Sequence, residues 1–254
     1  MSDSIVIIPT YNERENISEM IDVVMKQPSS FHLLIVDDGS PDGTGALVKA
    51  KIEEFPGRIF IEERSGKLGL GTAYIHGFRW ALKKDYQFIF EMDADFSHNP
   101  EDLNRLYSAC KNDGNDMAIG SRYVTGVNVV NWPMSRVMLS YFASHYVRMV
   151  TGMPINDTTA GFKCYRRSVL ETISLDEVRF MGYAFQIEMK FLTWKFGFKI
   201  NEVPIIFTDR TRGESKMSSG IIKEAVFGVI QIKLGSLFTT YRRPMEVSTE
   251  ASAS

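Results

Sequence analysis

Asp93-Ala94-Asp95 is the sharpest chemical feature of the chain. In extended backbone the side chains at i and i+2 point the same way, so two carboxylates can offer oxygens to one hard cation while water and substrate phosphates fill its other positions. Mg2+ or Mn2+ suits such a site. An isolated Asp-x-Asp is equally at home in a solvated acidic loop, and what sets this one apart is its position at the end of the apolar run 88–92. Four other polar or glycine-rich segments close apolar runs in the same way: Pro9-Thr10-Tyr11-Asn12-Glu13 after 5–8, Asp37-Asp38-Gly39-Ser40 after 33–36, residues 64–71 after 59–62, and Gly120-Ser121-Arg122 after 117–119. Ligands of an open parallel sheet bind beyond the carboxyl ends of its strands, so these segments are expected to share one site.

Within that site Asp38 is expected to accept hydrogen bonds from a nucleobase or ribose, as the acidic residue of dinucleotide folds does, although the run from Asp37 to Gly43 is also turn chemistry throughout. Gly66-Lys67-Leu68-Gly69-Leu70-Gly71 would bring backbone amides and Lys67 near phosphate. It matches neither the P-loop nor the dinucleotide fingerprint, because Lys67 precedes the glycine pair and Tyr74 stands where a third glycine belongs. Arg136 and Ser140, four apart on an expected helix, share a face, which reads either as an ordinary solvated helix face or as an oxyanion site. The run Asp209 to Lys216 reads either as a charged surface loop or as a flexible lid carrying cations to a diphosphate. Asp157, in Asn-Asp-Thr-Thr-Ala-Gly-Phe, is a candidate sugar contact or auxiliary base and equally a turn aspartate. His32, His76, His98 and His145 lack metal-ligand spacing and are read as surface or satisfied core residues.

Positioning these groups requires short strands alternating with helices, which the first half of the chain supplies. Ile17, Met20, Ile21 and Val24 repeat at helical spacing, with Asn12 and Glu15 as a capping box. Leu103, Leu106, Tyr107 and Cys110 repeat it after the fourth strand, which makes Cys110 a core residue. After Arg122 a loop with Trp132 and Pro133 leads to a helix over 135–150, then strands within 161–165 and 200–206 flank a helix over 183–196. The expectation is one α/β domain over 1–240: a nucleotide-binding half to 122, an acceptor-binding half over 123–217 and a C-terminal amphipathic helix over 218–240. Residues 246–254, small and polar, are expected to be a disordered tail.

Composition narrows the function classes. Twenty-nine basic against 31 acidic side chains give a net charge of -2, which supplies no global field to gather nucleic acid. Cys110 and Cys164 form no metal or redox motif and suit reduced, buried thiols. The start runs directly into an apolar strand without signal-peptide features, so a cytoplasmic location is expected. The apolar stretch 225–238 is interrupted by Lys233 and is shorter than the ~20 residues of a spanning helix; it suits lying on a bilayer.

Taken together, P-T-Y-N-E at 9–13, V-D-D-G-S at 36–40, G-K-L-G-L-G at 66–71, D-A-D at 93–95, G-S-R-Y at 120–123 and R-x-x-G-x-S-K at 210–216 resemble the dolichol-phosphate mannosyltransferases of the inverting family 2 glycosyltransferases, in order and over about 5–240. The resemblance implies a GT-A fold, a mostly parallel central sheet flanked by helices, that transfers mannose from GDP-mannose to a polyprenyl phosphate with Mg2+ or Mn2+. It implies that Pro9, Tyr11, Glu13 and Asp38 hold the nucleoside. Asp93, Ala94, Asp95 and Ser97 would form the metal and diphosphate site, though the family often has glutamine at the last position. Arg122, Arg136 and Ser140 would surround the acceptor phosphate, and Arg210 with Lys216 would close over the donor.

A lipid phosphate is already an anionic nucleophile, so such a reaction needs positioning and charge stabilisation rather than a strong base. Membrane contact would come through 218–240, directly or beside a membrane-anchoring partner subunit. UDP-glucose or another donor on the same fold stays open. A processive polysaccharide synthase is disfavoured by the missing Q-x-x-R-W signature, and a silent sugar-nucleotide-binding module by the intact Asp93/Asp95 pair.

Overall fold

A computed structural model of the chain describes residues 2–210, 212 and 219–243, with Tyr183 and 219–225 described as backbone alone. Lys216 and the segment 246–254 lie outside the described residues. β1 (Ser4–Thr10) divides its side chains between two cores, Ile5 and Ile7 on one face and Val6 and Ile8 on the other, all fully buried. A strand apolar on both faces belongs inside a sheet covered on both sides. α1 (Ile17–Met25) covers one side with Ile17, Met20, Ile21 and Val24, as their spacing requires. β2 (His32–Asp37), α2 (Thr44–Glu54), β3 (Ile59–Glu63), α3 (Leu70–Leu82), β4 (Phe88–Glu91), α4 (Asp102–Lys111) and β5 (Met117–Ser121) continue the alternation. The second half adds β6 (Val129–Val130), α5 (Met134–Thr151), β7 (Lys163–Arg166), α6 (Arg167–Thr172), α7 (Tyr183–Lys195), β8 (Ile200–Pro204), β9 (Phe207–Thr208) and α8 (Ser219–Ser236).

Seven strands form one sheet in the order β3-β2-β1-β4-β7-β5-β8. All neighbours are parallel except around β7, which runs against both β4 and β5. Because β7 is reversed, the loop that feeds it, 156–162, lies at the carboxyl edge of the parallel strands. Direction is not visible in a four-residue apolar run, and the strand expected at 161–165 carried no sign of it. A second, two-stranded sheet joins β6 to β9, with pairs too short to show any period.

One local expectation is corrected, and one glycine gains a packing role. α1 starts at Ile17 beyond Asn16, with no side-chain cap; Asn12 sits at φ +56 and donates its N–H to Ser40 Oγ at 2.9 Å, so the capping box at Asn12 and Glu15 is absent. The glycine run around 66–71 is partly a packing device. Gly71 donates its N–H to the Met181 carbonyl at 2.8 Å, and a Cβ there would come within 2.8 Å of the Phe185 ring, so no larger residue lets α3 meet α7 this closely.

Candidate active site

The residues expected at the nucleoside sit at the ends of β1 and β2. Asp37 ties the two ends together, accepting from Thr10 Oγ1 at 2.8 Å and from Ser40 N at 2.9 Å and Oγ at 2.6 Å. Glu13 is set by its N–H, which donates to Thr44 Oγ1 at 3.0 Å. Pro9 lies at the end of β1, and Lys67 Nζ stands 5.4 Å from the centre of the Tyr11 ring. Asp38 Oδ1 accepts from Arg64 Nε at 2.7 Å, while Arg64 Nη1 donates to Thr72 Oγ1 at 2.9 Å. The carboxylate expected at the nucleoside is thus oriented by an arginine that the sequence reading passed over.

The acidic pair follows β4. Asp93 Oδ1 accepts from the buried Tyr74 hydroxyl at 3.3 Å. Asp95 Oδ1 accepts from the Ser97 backbone N–H at 3.0 Å, and Asp95 Oδ2 lies 2.9 Å from Arg210 Nη2. Ser97 therefore contributes its main chain to the site. Ala94 between them is buried in the second core and fixes the turn. Burial and then the Asp95 charge push the Asp93 carboxyl up to about 7, against the opposing Tyr74 hydrogen bond and Arg210 charge. Two adjacent carboxylates with this shortfall of positive charge fit a divalent cation. Among the described residues no group of three or more His, Cys, Asp or Glu is arranged to hold a metal.

Arg122 and Asp157, expected in separate roles, face each other. Arg122 Nε meets Asp157 Oδ2 at 2.7 Å and Nη2 meets Oδ1 at 2.6 Å; the Arg122 backbone N–H adds a third bond at 2.9 Å. The guanidinium also donates to Thr159 Oγ1 at 2.8 Å and lies 5.1–5.5 Å from the Tyr123, Trp132 and Phe207 ring centres. Arg136 pairs with Asp209 at 2.9 Å and stacks on Trp132 at 4.2 Å, and Ser140 stands beside the Tyr123 hydroxyl. β6 and β9 hold Arg136 and Arg210 near each other by pairing the loop before α5 with the segment before Asp209.

Beneath these groups runs a buried polar layer. Glu91 lies 3.0 Å from Lys163 Nζ and accepts from Tyr165 Oη and Gln186 Nε2, each at 2.8 Å. Lys190 Nζ, fully buried, donates to the carbonyls of Thr158 at 3.0 Å, Ala160 at 2.6 Å and Gln186 at 3.1 Å. From the other flank Glu202 accepts from Ser121 Oγ at 2.8 Å and from the N–H groups of Asn156 at 2.8 Å and Asp157 at 2.9 Å. The loop bearing Asp157 is clamped between a buried ammonium and a carboxylate. The signal in the sequence was a charged residue inside an apolar run, Lys163 in Phe-Lys-Cys-Tyr and Lys190 four after Gln186 on α7, which marks an internal partner.

Comparison with known proteins follows the same lines. The glycosyl transferase family 2 model matches residues 5–174. The polyprenol monophosphomannose synthase of Mycolicibacterium smegmatis is 49% identical over 228 residues, covering 90% of this chain and 86% of the relative. The undecaprenyl-phosphate mannosyltransferase of Micrococcus luteus is 46% identical over 223 residues, covering 88% and 90%. Among solved structures, glucosyl-3-phosphoglycerate synthase of Mycobacterium tuberculosis, in complex with Mn2+, UDP and glucosyl-3-phosphoglycerate, superposes with a TM-score of 0.65 at 17% identity, covering 91% of this chain and 78% of that one. A mannosyltransferase of Pyrobaculum calidifontis in complex with GDP-Man and Mn2+ gives 0.55 at 15% identity, covering 93% and 74%. The fold is GT-A.

Proposed function

Since the chain belongs to glycosyl transferase family 2, we propose that this glycosyltransferase moves mannose from GDP-mannose to a polyprenyl phosphate with inversion, giving a polyprenyl β-mannosyl phosphate and GDP. The observation that carries this reading is near-half identity, along nearly all of both chains, with two relatives named for mannosyl transfer to polyprenyl phosphate. The site is compatible with it. Tyr11, Glu13 and Asp38 flank the space for the nucleoside, Asp93 and Asp95 that for the diphosphate, and Arg122, Arg136 and Ser140 the acceptor side. An acceptor phosphate oxygen attacks the anomeric carbon as the bond from that carbon to the diphosphate oxygen breaks. The acceptor is already ionised, so no residue needs to remove its proton.

Asp93 and Asp95 would hold a divalent cation, Mg2+ or Mn2+, which supplies charge stabilisation to a departing diphosphate. The chain's own arginines would do the remaining electrostatic work: Arg136, paired with Asp209, and Arg210, paired with the buried Asp95, would exchange those partners for substrate phosphates. Asp157, spent on Arg122, reads as an orienting group rather than a base.

No helix of the described residues is long and apolar enough to cross a membrane. Contact with the lipid substrate is proposed through α5 and α8, which pack together and expose Met138, Phe142 and Met149 on one and Phe227 and Leu234 on the other, with the exposed Phe238 just beyond it. The experiment is a donor comparison with a short polyprenyl phosphate: label from GDP-[14C]mannose should pass into the organic phase. Labelling from UDP-glucose with none from GDP-mannose would overturn the donor assignment.

A further inference from the structure

His98 was read in the sequence as a surface or satisfied core histidine, and the structure makes it neither. Its ring is buried, stacked on Phe162 at 5.0 Å between centroids and edge-on to Phe207 at 5.3 Å, and its Nδ1 is enclosed without a hydrogen-bond partner. A polar atom enclosed without a partner is uncommon in native proteins and calls for an explanation. One carboxylate of the acidic pair faces it: Nδ1 lies 3.9 Å from Asp93 Oδ2, about 1 Å longer than a usual N–H···O bond.

The absence of a side chain at residue 161 leaves space beside these two groups. Residue 161 is glycine, and a Cβ there would reach 3.8 Å from Asp93 Oδ2 and 3.9 Å from His98 Cε1, so any longer side chain would enter the same space. The other Asp93 oxygen is already held by Tyr74. The residue before His98 is fixed at both of its main-chain groups, by the Ser97 N–H on Asp95 and by the Thr208 N–H, which donates to the Ser97 carbonyl at 3.2 Å. The imidazole is therefore set in place, and the Asp93 side chain is the partner left to move.

We propose that His98 is a positioning residue for Asp93, donating its Nδ1–H to Asp93 Oδ2 when that carboxylate turns to take up a divalent cation with the donor diphosphate. This rests on the reading of Asp93 and Asp95 as the metal-holding pair. A carboxylate has about four lone-pair positions, so it can accept from Tyr74 and His98 and still coordinate. Carboxylates that ligate metals are generally hydrogen-bonded in turn, and loss of such a partner typically weakens metal binding or activity ~10–100-fold.

Two variants separate the hydrogen bond from the packing. His98→Phe keeps a ring between Phe162 and Phe207 and removes the donor; His98→Asn places an amide nitrogen near the Nδ1 position. With GDP present, Mn2+ titration followed by electron paramagnetic resonance should show affinity lowered about tenfold or more in His98→Phe and close to wild type in His98→Asn, both retaining the wild-type circular dichroism spectrum. Wild-type affinity in His98→Phe, or equal loss in both folded variants, would overturn the proposal. In the wild-type protein, adding Mg2+ and GDP should bring out a downfield His98 Nδ1–H proton resonance; its absence would overturn the proposal even if a variant did not fold. A wild-type protein that binds no Mn2+ with GDP would instead sink the metal reading of Asp93 and Asp95, and the positioning role with it.

Discussion

Arg122 and Asp157 form a bidentate ion pair closed off from solvent, the arginine 7% exposed and the aspartate 0%. Each charge satisfies the other, and the ring faces of Tyr123, Trp132 and Phe207 exclude water around them. Removing one partner strands the other. Arg122→Ala is expected to destabilise the fold by about 3–5 kcal/mol in addition to slowing transfer, and a paired Arg122→Met with Asp157→Leu should cost less than the sum of the single changes. Urea denaturation of Arg122→Ala, of each single change Arg122→Met and Asp157→Leu, and of their double checks both statements.

The same pair sets an acid dependence. Burial raises the Asp157 carboxyl, but the charge and hydrogen bonds of Arg122 outweigh it and hold the group below its ordinary 3.8. A folded-state value below the unfolded one means that the unfolded chain binds the extra proton. The stabilisation is therefore complete above about pH 4 and is lost as pH falls through the folded value. Stability measured from pH 5 down to pH 2.5 should drop more steeply in wild type than in the Arg122→Met, Asp157→Leu chain; parallel curves would count against the pair as the source.

Glu202 receives hydrogen bonds from both loops that carry this pair, through Ser121, Asn156 and Asp157. Glu202→Gln turns an amide group toward donors and should lower kcat about tenfold, the low end for losing the support of a positioned group. GDP affinity measured by calorimetry should be unchanged, because the nucleotide side is built on other strands. A matched loss in GDP affinity would show a general loosening instead.

For Asp95→Ala the expectation is loss of transfer by at least ~100-fold with the thermal midpoint nearly kept, since the residue sits in a loop beyond β4. Wild-type activity should vanish in excess EDTA and return with Mg2+ or Mn2+. Full activity in EDTA would remove the metal from the reaction.

Membrane contact predicts that the intact chain floats with anionic liposomes, and that Phe142→Ser combined with Phe227→Ser keeps it at the bottom of the gradient while GDP binding persists. Both side chains are well exposed, at 58% and 64%, so the changes should not disturb the core.

Much of the architecture was legible because period and position carry it. Ile5 to Ile8 announces a two-sided strand, Ile17 to Val24 a one-faced helix, and the polar runs after each strand mark the ligand edge. Asp93 and Asp95 were visible for the same reason. What stayed hidden depends on how the chain folds back on itself: Arg64 gains meaning only beside Asp38 and Lys190 only under a loop some 30 residues earlier, while His98, five residues from Asp93, depends on the path of the loop between them. The direction of β7 and the β6–β9 ribbon were hidden because segments this short show too few turns of any pattern.

The placement of β7 also bears on how the chain is made. β5 has no bond to β4; its partners are β7 and β8, both later in the sequence. A ribosome that has delivered the first 122 residues has released a four-stranded sheet with β4 as a bare edge and β5 without a neighbour, a surface prone to pairing with other chains. Closure waits for Lys163–Arg166. The segments before and after residue 122 therefore do not behave as interchangeable cassettes: recombination at residue 122 would separate β5 from both of its partners, whereas exchanges within 123–156, upstream of β7, leave every pairing of the large sheet intact.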